Sequence, residues 1–208
     1  MDTIVKFGIF FLGALFSILL VPRIEQKKAD FQRKERYQEL MAELDDIQKV
    51  LCDHLSTHFQ FLCNIRTAHE LAQSGRLPVP MPTAIDVDIL VDLYKQSALI
   101  LTSSQRVAIK RIPNSVHEII RQSQSSVDSV VNEKRYCIQS VKNTIKLSCR
   151  LVYEINAIRH EQERFVSLDD LDSNFATIRI LKSEGFTDEQ IETSKIKETG
   201  FENIGVKI

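Results

Sequence analysis

The chain has no tryptophan, and its 208 residues include only six glycines, five prolines and four cysteines. So few chain breakers argue against a turn-rich β architecture and for long uninterrupted elements, helices rather than strands. The cysteines (Cys52, Cys63, Cys137, Cys149) include no C-x-x-C pair. That argues against a paired-cysteine metal site and leaves them as buried, reduced thiols in a cytoplasmic body. The formal net charge is -1, so there is no electrostatic case for nucleic acid or an acidic substrate. No GxxxxGK[ST], GxGxxG or GxSxG stretch occurs, which removes the common phosphate-loop, dinucleotide and nucleophile-elbow chemistries. The acids Asp169, Asp170 and Asp172 lack the alternation and closing glutamate of a calcium loop. Cys63 has no histidine at a spacing that would mark a thiol nucleophile.

What the chain does have is one apolar run, Ile4 to Val21 (IVKFGIFFLGALFSILLV), broken only by Lys6 and Ser17 among strongly polar residues. As a helix it would span about 27 Å, close to the hydrocarbon core of a bilayer. Lys6, one turn from the N-terminal end, can keep its stem in lipid and its ammonium among the headgroups. Phe7 and its apolar neighbours would face acyl chains, and Gly13 and Ser17 form one small-xxx-small pair for close helix approach. No A-x-A-like cleavage site follows the run, which ends Val21-Pro22-Arg23. Arg23, Lys27, Lys28, Arg33, Lys34 and Arg36 crowd its C-terminal side, so the body is expected on the cytoplasmic side, with the N-terminus outside. A bacterial inner membrane is the expected setting, and the basic cluster would lie near anionic headgroups, diluted by Glu25, Asp30 and Glu35.

Pro22 should bend or interrupt the chain where it leaves the run. From Ile24 to about Ser74 no glycine or proline occurs, and Tyr37, Leu40, Leu44, Ile47, Leu51, Leu55, Phe59, Leu62 and Ile65 recur at threes and fours. The pattern predicts one long amphipathic helix stopped by Gly75. Prolines 78, 80 and 82 make residues 76–83 an extended connector. A second helix is expected from Asp86 to about Arg111, with a wide apolar face that makes it the most buried. Ile112-Pro113-Asn114 reads as a break, with Asn114 or Ser115 capping a third stretch that reaches about Phe165. Its serine-rich middle predicts a division near Val131 to Glu133. Ser167 with Asp170 opens a short helix from Leu168 to about Ser183, and Thr187 with Gln190 forms a capping box for a last helix to about Glu198. The tail from Gly200 to Ile208 has no periodicity.

The expected fold is all-α: a single N-terminal transmembrane helix, a long-helix antiparallel bundle and a short C-terminal helical hairpin. The boundaries are 1–22 for the anchor, 23–165 for the bundle and 166–208 for the hairpin and tail. His54 and His58, four apart, are the one pair with metal-sharing spacing, but Cys52 points to the far side of the helix and no third ligand is near. No cofactor is implied. The expected function is a non-enzymatic membrane-anchored scaffold or adaptor, its partners being membrane lipid and either other proteins or further copies of itself. A small channel component or membrane-acting effector is the first alternative, and a cytoplasmic-facing helical sensor the second. Long helix one, next to the anchor, is the expected self-association seam.

Overall fold

The computed structural model describes residues 2–71, 77–133, 135–166, 172–198 and 203–205; within the first twenty, side chains are described at 13, 16–18 and 20. One helix, α1 (Asp2–Glu70), runs through the apolar run and the heptad-patterned stretch without a break. Pro22 lies inside it, so the interruption expected there does not occur. A proline removes one N–H and crowds the carbonyl four residues back. Here that residue is Ile18, and both are exposed, so no packed neighbour has to move. Gly75, the expected stop, lies outside the described residues, and the helix already ends at Glu70.

The heptad stripe of α1 forms the centre of the body. Leu40, Leu44, Ile47, Leu51, Leu55, Phe59, Leu62 and Ile65 are all buried. Each such side chain taken from water contributes about 1.5–3 kcal/mol. The neighbours that bury it belong to the same chain: α4 (Ile138–Glu161) first, with α2 (Asp88–Ser97) and, late in the chain, Phe186, which meets Phe59 edge-on at 4.5 Å. This stripe was the expected self-association seam; it is filled within one chain.

Helix α4 runs antiparallel to α1. Arg159 near its end meets Asp45 at 2.6 Å and Gln48 at 3.0 Å, while Tyr136 just before its start lies 5.7 Å from Phe61. Helix α3 (Ser103–Glu133) packs beside α4 in the opposite direction, with Ser125 and Ser140 at 3.3 Å. Helix α2 returns along α1 until the Ser97 hydroxyl donates to the Arg36 carbonyl at 3.4 Å.

Helix boundaries correct the sequence reading in three places. The expected 86–111 helix is two: α2 ends at Ser97 and α3 starts at Ser103. Thr102 and Gln105 cause the split, since the Gln105 amide donates to the Thr102 hydroxyl and the Thr102 amide to the Gln105 side chain, a reciprocal cap. The expected break at 112–114 is absent: Pro113 sits inside α3, and Asn114 and Ser115 are interior rather than caps. An interior proline costs about 3 kcal/mol. Ile109, Ile112, Val116 and Ile119, buried on both sides of it, outweigh that cost. Nor is the second helix the most buried: α2 buries only Leu90 and Ser97, and Ile89 stays exposed, whereas α4 buries residues along its whole length.

The division near Val131–Glu133 is real. After Glu133 comes strand β1 (Arg135–Cys137), then α4. Strand β1 pairs antiparallel with β2 (Asn203–Gly205), Tyr136 opposite Ile204, so the part of the tail that is described has an ordered place. A 3-10 turn, Gln162–Arg164, ends α4. The C-terminal hairpin is α5 (Ser173–Ser183) and α6 (Asp188–Thr193). Asp172 caps α5 by accepting from the Asn174 amide; Ser167 and Asp170 lie outside the described residues. Thr187 and Gln190 form the expected capping box of α6, which is shorter than expected and continues in turns. The hairpin docks on the bundle: α5 packs on α4, and Ile180, Leu181, Ile191 and Ile196 are buried.

Candidate functional site

Three features of this fold are candidates for function: the part of α1 ahead of the body, a polar seam inside the bundle, and an extended strap at the end far from the N-terminus.

The first is the stretch of α1 ahead of Leu40, the first buried residue on it among those whose side chains are described. Every described side chain from Gly13 to Arg36 is exposed except half-buried Ala29, and Phe16, Ile18, Ile24 and Phe31 are each more than half exposed, among the barest large apolar groups of the described residues. Among the described residues no helix is long and apolar enough to cross a membrane. Ile4, Lys6 and Phe7 have side chains outside those described, so the structure places only their backbone, in α1. The Ser17 hydroxyl donates to the Gly13 carbonyl at 2.9 Å, and space opens beside Gly13. Arg23, Lys27, Lys28, Arg33, Lys34 and Arg36 are all exposed. Arg33 reaches Asp30 at 3.4 Å, a solvated pair of small energetic weight.

The second feature is polar. His54 and His58 are both almost fully buried, with ring centroids 4.0 Å apart. The His58 Nδ1 donates to the His54 carbonyl at 2.9 Å, and in the neutral ring, which burial favours, its Nε2 accepts from the Ser123 hydroxyl at 2.8 Å. Both nitrogens of His58 are thus used. Among the described residues, His54 has no hydrogen-bond partner on either ring nitrogen. Burial, and after it the neighbouring His58, pulls the His54 pKa down to about 4; burial also lowers that of His58. Ser126, Ser129, Ser140, Thr144 and Ser148 continue the seam along α3 and α4. Several turn back on their own helix: Ser129 to Ser125 at 2.8 Å and Thr144 to Ser140 at 2.9 Å. Among the described residues no set of three metal-ligating side chains comes together, so the His54–His58 pair has no third ligand. It is a core pair joined to α3 rather than an exposed one.

The third feature is the strap Leu77–Pro80. Tyr136 holds it: the Leu77 amide donates to the phenol oxygen at 2.7 Å, and the phenol donates to the Leu77 carbonyl at 3.1 Å. Grooves lie on both sides. One, of 640 Å³, is walled by Thr57, Gln60, Asn64 and Phe186; the other, of 410 Å³, by Val127, Val130, Val131 and Met81. Met81 and Val131 are bare. At the opposite end a groove of 490 Å³ lies between α1 and the end of α4, with Lys34, Tyr37, Arg159 and His160 on its walls.

No protein-family model, curated protein or solved structure matches this chain. The reading of its function therefore rests on its own residues.

Sequence patterns located the stalk, the basic flank and the histidine pair. They missed Tyr136, whose role depends on a strap some sixty positions earlier, and Lys142, buried on α4 with its ammonium donating to the Glu198 carbonyl at 3.2 Å. A lysine amid the apolar positions Ile138, Val141 and Ile145 was the available signal for the second. The cysteines are free thiols; burial pushes Cys52 up to about 12 and Cys63 up to about 11, and raises Cys149 as well. Such thiols are poor nucleophiles.

Proposed function

We propose that this protein is a membrane-anchored helical scaffold or adaptor acting through protein–protein contacts, with Ile4–Val21 as a single-pass anchor and the bundle on the cytoplasmic side. The observation that supports it most is the division of labour along α1. Its second half is the centre of the packed body, while ahead of Leu40 the described large apolar side chains, Phe16, Ile18, Leu20, Val21, Ile24 and Phe31, are bare. A bare apolar surface of that kind is costly in water and is covered in a bilayer. The basic residues just past Val21 favour the cytoplasmic side for the body. The distal strap, with Met81 and Val131 exposed, is the surface offered furthest from the anchor.

The test is fractionation of cells expressing the full chain, followed by protease treatment of intact spheroplasts and cross-linking before detergent extraction. The protein should stay with membranes through an alkaline carbonate wash, resist protease added outside, and bring down a stoichiometric protein. Release by carbonate would refute the anchor. Retention with no cross-linked protein at native abundance would refute the adaptor.

A further inference from the structure

The stalk, residues 22–36, carries an asymmetry that a plain spacer does not need. Only two large apolar side chains lie beyond the run and before the body, Ile24 and Phe31, and both are more than half exposed. They are seven residues apart, so at ~100° per residue they fall within about 20° of one line along the helix. Lys27 and Lys28 lie about 50° to either side of that line, and Lys34 about 70° from it. Glu25 and Asp30 are turned about 110° away, on opposite flanks. Glu35 is the one acid on this face of the stalk, about 30° from the line and at the end next to the body. The stripe is thus apolar at its centre and lysine-edged, the pattern of a helix that lies in a membrane interface.

Charge decides between occupants. In a parallel pair of stalks packed along this line, Lys28 of one copy would lie beside Lys27 of the other, close to the seam. An anionic headgroup layer instead complements all three lysines. The tether also matters: a stalk that begins at the membrane needs only weak contacts to stay on it, because the local concentration of surface is high. In water a helix of this length without packing is marginal, so the surface also supplies the contacts the stalk lacks. In the structure α1 runs through Pro22 without a break; Pro22 already lacks one helical hydrogen bond, so it is the place between the run and Ile24 where a membrane surface would turn the helix most cheaply.

We propose that the stalk from Arg23 to Arg36 lies along the membrane that holds the anchor, turning at Pro22, with Ile24 and Phe31 at the acyl boundary and Lys27, Lys28 and Lys34 on anionic headgroups. This rests on the anchor reading above, and the test separates the two. The natural chain has no tryptophan, so one introduced indole reports alone. Full-length Phe31→Trp protein is reconstituted into phosphatidylcholine vesicles with and without phosphatidylserine, using brominated acyl chains as quencher; Phe16→Trp protein serves as the anchor probe.

With phosphatidylserine present, the indole at position 31 should emit at shorter wavelength and lose about half its intensity to the brominated chains. Replacing Lys27, Lys28 and Lys34 by glutamate should abolish both effects while quenching at position 16 persists. Long-wavelength, water-quenched emission at position 31 with quenching at position 16 would overturn the proposal and leave the anchor standing. Short-wavelength emission that brominated chains do not quench, and that fades on dilution into excess lipid, would point to a second copy and also overturn it. No quenching at position 16 would remove the anchor itself, and the proposal with it.

Discussion

Tyr136 joins parts of the chain that are distant in sequence through one side chain. Its ring packs on Phe61, its backbone pairs with Ile204, and its hydroxyl takes both polar groups of Leu77. Tyr136→Phe keeps the ring and removes the last of these, so unfolding in urea should occur at lower denaturant with an unchanged slope, by about 1–2 kcal/mol. His54 sets a different dependence. Its folded pKa, about 4, lies below the 6.5 of an ordinary histidine, so the unfolded chain binds the proton more readily. The stability this represents is fully present above about pH 6.5 and is lost as pH falls through about 4, about 3 kcal/mol in all. No carboxylate occurs among the described buried residues to offset the charge; the charged groups there are Arg66 and Lys142, both cationic. His54→Leu should flatten the decline in melting temperature between neutral pH and about pH 4, and an undiminished decline would show that other groups govern it.

Between elements, the division between what sequence shows and what it hides follows locality. The Thr187–Gln190 box lies within four residues and was legible; the Thr102–Gln105 box has the same form, T-S-S-Q, but sits inside a strongly apolar stretch and was read through. Thr102→Ala should cost about 1 kcal/mol and loosen the start of α3, seen as faster amide exchange at Ser103 to Gln105 than in the parent. The prolines misled in the other direction. Pro113 and Pro22 look alike as breakers, and neither breaks its helix: at Pro113 the flanking isoleucines and valine are buried against the bundle, and at Pro22 both the proline and Ile18, four residues back, are exposed. Local rules give the intrinsic cost of such a residue; tertiary burial, which no window of sequence contains, decides whether the cost is met. The pairing of β1 with a tail that has no periodicity belongs to the same class.

At the scale of the molecule, the all-α bundle and the α1 stripe were legible because periodicity of threes and fours is a property of one segment. The docking of the C-terminal hairpin was not, since it depends on Phe186 finding Phe59 and Ile196 finding cover among distant residues. Helix α1 has a consequence of another kind. Because the stalk and the core stripe belong to one unbroken stretch of helix beyond Pro22, they share a single rotational phase. The direction in which each face of the body looks is then geared to the Ile24–Phe31 line of the stalk, as a key is to its shank. One alanine inserted after Gln32 would turn the body by about 100° relative to that line, whereas seven would return it to within about 20°. Under the proposed function, recovery of the cross-linked partner should fall with the single insertion and return with the sevenfold one, while the melting temperature of the bundle stays the same in both. The body would thus have a heading as well as an address.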